Sequence, residues 1–507
     1  MRQMIPFTHE PLNLFTNYSQ AAQHFPESAI VLDEPLRAFP ELHTTTTYQA
    51  SLESIKQRAY QLAALGVKKG DAILIYKSPR FDTYLLAVAA SYLGAVPAMI
   101  SYHLPQSTIE VFLERLENPF ILYDEETAIR IDPIQYDTAK KISVERLLTT
   151  SSKPVPQEQL AVDEISYMTH TSGTTGIPKL ICHSANSMGW RTVWQKTVMQ
   201  KMEGRRIVAF HISPVHSRFN IGISSLMALG FPMLPIANPK LENIARMLNA
   251  YHPMALETHP NHFVQWTRLA KEQPELFTKT RYYHSTFDAI NNQTMVAFLE
   301  ASQTQNPIFL QVYGQSECGP MILKAHQLDT LSSSNARDMG VGLEELTQAR
   351  ICDEKGNELP RNTDGHIQFL SKGRALTYYK EDERFQKTVF DKWWDSGDYG
   401  CMDEEGHLYL KDRQVDLIED VNSTLVIEDY LLDHLPFLAE VVLVRGKEGK
   451  AQPVLALIEG EKMDEEQWFA AVSDLPQLHH PVVMTWDEIP RTATMKVQRL
   501  QLEKEFN

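Results

Sequence analysis

Between Tyr48 and Tyr123 the apolar periodicity switches repeatedly between helix and strand, and this alternation constrains the fold more than any other feature of the chain. Leu52, Ile55, Tyr60, Leu62 and Leu65 recur at helical spacing, and Gly66 ends the run. Residues 72 to 76 then read as a strand, Leu85 to Leu93 as a buried helix, Val96 to Ser101 as a strand, Thr108 to Leu116 as a helix and Phe120 to Tyr123 as a further strand. Such a succession predicts an α/β fold with largely parallel sheets covered by helices. Residues 133 to 163 are polar and mixed, which predicts a surface connection. Beyond about residue 340 short apolar runs alternate with turn residues, so the later part of the chain is expected to be β-rich.

A chain of 507 residues exceeds one ordinary core and predicts two or more domains of about 100–200 residues each. Its 43% hydrophobic and 22% charged content excludes disordered and fibrous classes. A net charge of −16 and the absence of a basic run argue against nucleic-acid and anionic-membrane partners. Cys182, Cys318, Cys352 and Cys401 lie far apart, so neither a disulfide framework nor a zinc site is expected. The first ten residues contain no apolar h-region, and the uncharged stretches Leu85 to Ile100 and Phe219 to Ala237 carry Gly and Pro, so no membrane span is expected and the cytoplasm is the expected compartment.

After the strand-like run Ile165 to Met168, the segment from Thr169 to Lys179 crowds hydroxyls, two glycines and a lysine together. Small residues permit close backbone approach, and hydroxyls, N–H groups and a mobile ammonium all donate to phosphate oxygens. A polyphosphate cradle is the reading these residues favour, although the Walker A spacing is absent.

From Tyr167 to Lys179 the chain resembles the signature of the acyl-adenylate-forming superfamily: acyl- and aryl-CoA synthetases, nonribosomal peptide synthetase adenylation domains and firefly luciferase. Four further segments follow in the family's order: Tyr313-Gly314-Gln315-Ser316-Glu317, Ser396-Gly397-Asp398, Asp412 to Ile418, and Pro490 to Arg499. The resemblance implies a large N-terminal domain, residues 1–412, with two α/β sheets and a small β-barrel, and a small mobile α+β lid, residues 413–507.

It also implies roles. Thr171, Ser172, Gly173, Thr174, Thr175 and Gly176 would hold the β- and γ-phosphates of ATP, with Lys179 nearby. Glu317 would bind Mg²⁺ through a hard carboxylate oxygen, Ser316 would contact the α-phosphate, and Tyr313 with Gly314 would flank adenine. Asp398 and Arg413 would hold the ribose, Asp416 would be the hinge, and Lys496 would neutralise charge shifting between carboxylate and α-phosphate. The acid pocket is expected at His211, His216, Phe219, Phe287 and Asp288. His211 replaces the aspartate that pairs an α-ammonium in amino-acid-activating relatives, which disfavours an α-amino acid substrate.

The implied reaction is ATP-dependent adenylation of a small carboxylic acid, followed by acyl transfer to the thiol of CoA or of an acyl or peptidyl carrier protein. Glu419-Asp420-Val421-Asn422-Ser423 replaces the lysine and glycine pair that commonly approach the thiol arm, and Met495 replaces a common glycine, so free CoA is expected to be a poor acceptor. The alternative is a non-catalytic nucleotide-binding or scaffold protein on the same fold.

Overall fold

The structure, a computed structural model, describes residues 7–171, 178–286, 290–331, 337–418, 421, 423–458, 460–491 and 496–506. The expected alternation is present. Helix Tyr48–Ala64 begins where the Thr47 side chain accepts the Ala50 N–H, and it ends before Gly66, whose φ of 99° a residue with a side chain adopts poorly. Strands Ala72–Tyr76, Val96–Ile100 and Phe120–Tyr123 pair in parallel. They form the centre of a seven-stranded sheet that continues on one side through Ile165–His170, Leu180–Ser184 and Thr377–Tyr378. Helix Asp82–Tyr92 is buried along its whole length, its apolar run Tyr84 to Ala90 on every face and Asp82 paired with Lys77.

Within the stretch read as a surface connection, strand Lys141–Ser143 adds to the edge of this sheet and helix Val144–Thr149 follows it. Ile142, Val144 and Leu147 are buried, but three anchors split between a strand and a helix leave no periodicity to detect.

A longer sheet of 14 strands carries the site. Its middle is parallel: Met233–Pro235, Val208–His211, Ala255–Thr258, Tyr282–Ser285 and Ile308–Gln315, in that spatial order. The last of these folds back on Gly319–His326 as an antiparallel hairpin, after which the sheet runs on as an antiparallel wing built from residues beyond 337. That wing occupies the place of the expected small barrel, and among the described residues its pairing order is open rather than closed. Further along, Leu438–Arg445, Ala451–Leu457 and Val482–Met484 form a separate three-stranded sheet whose apolar core includes Leu431, Leu443 and Trp468. Among the described residues no helix is long and apolar enough to cross a membrane.

Parallel sheets bind ligands at the carboxyl ends of their strands. Here those ends bring together His211, Thr258, Ser285 and Gln315. The hairpin beside them is tight at Gly314, where a Cβ would lie 2.2 Å from the Gly319 carbonyl oxygen. Gly314→Ala is therefore expected to cost about 1–3 kcal/mol by forcing this hairpin apart, read as a lowered urea midpoint with unchanged slope. A midpoint equal to that of the native chain would contradict this packing.

Candidate active site

The candidate phosphate loop springs from an antiparallel pair, Ile165–His170 with Leu180–Ser184. Its base is closed by the Thr171 N–H donating to the Lys179 carbonyl at 3.0 Å and the Lys179 N–H donating to Thr171 Oγ1 at 3.1 Å. Ser172, Gly173, Thr174, Thr175 and Gly176 lie outside the described residues. Lys179 Nζ donates to the Tyr378 hydroxyl at 3.0 Å and lies 4.2 Å from the centre of its ring; the hydroxyl in turn donates to Glu317 Oε1 at 2.7 Å. Lys179, Tyr378 and Glu317 thus form one chain of hydrogen bonds beside the loop. Burial draws the Lys179 ammonium below its usual range, and Glu317 opposes that shift. Burial, and then the Glu317 carboxylate, push the Tyr378 phenol upward, so it stays protonated and able to donate.

Arg191 fixes the other side of Glu317. Its guanidinium, 2% exposed, donates to the backbone oxygens of Ser316 at 2.9 Å, Glu317 at 2.8 Å and Gly373 at 2.6 Å, and to Ser217 Oγ at 3.3 Å. A Cβ at Gly319 or Gly373 would come within 2.8 or 2.6 Å of the Arg191 side chain, so both glycines make room for it. Neither Arg191 nor Tyr378 was legible as a site residue in the sequence, because each acts on partners far along the chain: Arg191 on Glu317 and Gly373, 126 and 182 residues away, and Tyr378 on Glu317 and Lys179, 61 and 199 residues away.

At the hairpin, the Tyr313 hydroxyl donates to Asp398 Oδ2 at 2.5 Å and its ring meets Phe369 edge-on. Gln315 Nε2 donates to the same Asp398 oxygen at 3.2 Å, and Arg413 Nε stands 3.7 Å from Asp398 Oδ1. Of the expected nucleotide residues, Tyr313 and Arg413 therefore meet at the Asp398 carboxylate, joined there by Gln315. Tyr313, Gly314, Asp398, Arg413, Asp416 and Lys496 all line one cleft of about 230 Å³. Arg499 organises the far wall of that cleft: it donates to both Glu428 oxygens at 2.6 and 2.8 Å, and its Nε lies 3.7 Å from Asp416 Oδ2.

His216 caps helix Ser217–Ala228 and is 3% exposed. Burial, the nearby His170 and the charge of Lys496 hold its imidazole down to about 3, so it is neutral. His170, also neutral, accepts the Ser101 N–H on Nε2 and donates from Nδ1 to the Thr171 carbonyl, which fixes its tautomer. His211 turns away to Trp266 and His262, with Nδ1 2.9 Å from the Ile236 carbonyl. Phe219, expected in the acid pocket, packs its ring among Phe81, Tyr84 and Phe210, and with Phe81 and Phe210 it also borders a small cavity. On a helix, one residue of rotation separates it from Arg218, which faces the strand ends instead. Phe287 and Asp288 lie outside the described residues.

Residues 18–379 match the family model of the AMP-binding enzymes, and the chain belongs to that family. It is similar to 3-amino-2-hydroxy-4-methoxybenzoate diazotase of Streptomyces cremeus, 34% identical with 96% of this chain and 94% of the relative covered. It is also similar to 2-succinylbenzoate–CoA ligase of Bacillus cytotoxicus, 24% identical with 90% and 93% covered. The O-succinylbenzoate CoA synthetase of Bacillus subtilis, solved with ATP and magnesium ion, superposes with a TM-score of 0.79 at 20% identity, covering 98% of this chain and all of that one. The chain is thus an AMP-binding enzyme, and ATP-dependent acyl-adenylate formation followed by transfer to a thiol fits its family and fold. ATP and Mg²⁺ are ligands found in the family.

Two outcomes follow from this geometry. Glu317→Gln keeps an acceptor for Tyr378 but removes the charge, so adenylation is expected to fall about 100-fold with little change in melting temperature; full turnover at low Mg²⁺ would contradict the metal assignment. His170 and His216, held down to about 4 and about 3, stay neutral in the folded state while the unfolded chain protonates near ~6.5. Stability is therefore lost as pH falls from about 6.5 to 4, and His216→Asn is expected to flatten the urea-midpoint profile in that window. An unchanged profile would contradict the burial of a neutral imidazole here.

Proposed function

We propose that this enzyme activates a small aromatic carboxylic acid as its adenylate, using ATP with Mg²⁺ held by Glu317. The reading is carried by Lys496 lining the same cleft as Tyr313, Asp398 and Arg413 while its charge acts on His216 at the start of the acid-side helix. In this reading the carboxylate oxygen attacks the α-phosphorus, pyrophosphate leaves past Thr171 and Lys179, and Lys496 offsets the charge as it passes between the reacting groups. Residues 413–507 then swing about Asp416 as a lid, withdrawing Lys496 before the acceptor arrives. The sequence Glu419-Asp420-Val421-Asn422-Ser423 favours a carrier-protein arm over free CoA as that acceptor, and the reaction takes place in the cytoplasm.

A second reading rests on the 34% identity to a diazotase across nearly the whole chain. There the acceptor is not a thiol but an amine on an aromatic ring, and the oxyanion that attacks the α-phosphorus is nitrite. The ring amine then bonds to the activated nitrogen, AMP leaves, and loss of water gives the diazonium group. Both readings use the same nucleotide residues, and nitrite-dependent pyrophosphate release in the presence of an aminoaryl acid separates them.

Lys496→Ala tests the shared step. Losing a charge-assisted contact made in the transition state costs about 3–4 kcal/mol, or roughly 100- to 1,000-fold. Acid-dependent pyrophosphate exchange is expected to fall by that factor while acyl transfer from a supplied adenylate persists. Asp416→Pro is expected to do the reverse. Equal loss of both steps in Lys496→Ala would contradict the swinging lid.

A further inference from the structure

Arg218 lies two residues beyond the His216 cap, on the first turn of helix Ser217–Ala228, and reaches across to the ends of two parallel strands. Its Nε and Nη2 donate to the two oxygens of Glu257 at 2.7 Å each, and its Nη1 donates to Gln195 Oε1 at 3.0 Å. Glu257 and His284 are register partners on adjacent strands, and His284 Nδ1 lies 3.2 Å from both Glu257 Oε2 and Arg218 Nη2. That leaves the other ring nitrogen. His284 Nε2 is buried with no hydrogen-bond partner among the described residues, as is Thr286 Oγ1 two positions further along. Buried polar atoms in native proteins are almost always paired, so two together at the carboxyl end of a parallel sheet point to a ligand group that completes them.

We propose that Arg218, Glu257 and His284 form a recognition site for an uncharged amine or hydroxyl on the ring of the acid, with His284 Nε2 as the contacting atom. This rests on the reading of an aromatic acid substrate. Charge balance selects the class. Although burial alone would raise it, Arg218 and then His284 hold the Glu257 carboxyl down to about 2, so the ion pair sums to zero. Burial keeps His284 neutral. An alkyl ammonium or a second carboxylate would enter this site desolvated and without a counter-ion, at a cost of several kcal/mol by burial of an unpaired charge. An aromatic amine is neutral at pH 7, because its lone pair is delocalised into the ring. With Nδ1–H donating to Glu257, Nε2 is left as an acceptor, and the N–H of an aromatic amine or the O–H of a hydroxyl can each donate to it. A methyl group of similar size cannot donate and leaves Nε2 unpaired.

The test compares benzoates carrying an amino, hydroxyl or methyl group at each ring position, with two readouts. One is acid-dependent pyrophosphate release; the other is the shift in melting temperature on binding each acid in the absence of ATP. At the best ring position the amino or hydroxyl acid is expected to exceed its methyl counterpart about 10- to 100-fold in kcat/KM, and to bind correspondingly more tightly. His284→Leu brings that ratio towards one, and His284→Gln, which keeps a hydrogen-bonding end, retains part of it. A native ratio near one at every position, or a ratio undiminished in His284→Leu, overturns the proposal. Should His284→Leu fail to fold, a native ratio near one, or a ratio wholly undiminished in His284→Gln, overturns it equally. If no acid releases pyrophosphate, the reading of the activity fails, and the melting shifts still decide the site: amine-selective binding that His284→Gln weakens upholds it, and unselective binding overturns it.

Discussion

The buried guanidinium of Arg191 holds this site together. It comes from helix Ala185–Met199 and grips three backbone oxygens on two other segments, together with the Ser217 hydroxyl at the start of a third. Burial draws its pKa down, and with no carboxylate among these four hydrogen-bond partners the charge is met by oriented backbone and hydroxyl dipoles. The consequence is positional. The hairpin end that presents Glu317 and the helix that opens at His216 are fixed to one cation, so the two cannot drift apart independently. Lysine could not reproduce this, because it lacks a planar fork with donors in three directions.

Around that anchor, neutral and charged groups are kept apart. The histidines nearest the acid side, His170, His216, His259 and His262, are all held below their usual range, burial being the first cause for each. They make a polar but uncharged wall. Against it, positive charge comes from Lys179 on the phosphate side and from Lys496 across the cleft, and only Lys496 belongs to the segment proposed to move. A cation delivered to a wall without counter-charge interacts strongly with whatever anion is bound there, since little else competes for it.

Much of this was legible in the chain. The alternation of residues 48 to 123 yields a parallel sheet because each helix buries an apolar stripe that only an adjacent sheet can cover. Asp398, Arg413 and Tyr313 meet as their order implied, though through a hydrogen bond to Asp398 rather than through an open ring face. Other features were out of reach. Lys141–Ser143 was missed because Ile142, Val144 and Leu147, the buried residues of this strand and the helix after it, are too few to set a period. Arg191, Tyr378 and the pairing of Arg218 with Glu257 depend on contacts between distant segments, which no local pattern encodes. Arg218 stands between His216 and Phe219, both expected at the acid pocket, and that neighbourhood was its one local sign.

The central claim is that an oxygen of the activated acid attacks the α-phosphorus. It is tested most directly by following that oxygen. With ¹⁸O in both carboxylate positions of an accepted acid and unlabelled ATP, one label is expected in the phosphate of AMP, seen as an isotope-shifted ³¹P resonance. Pyrophosphate carries none. Label retained wholly in the acid product, or found in inorganic phosphate with release of ADP, would contradict adenylate formation in this site.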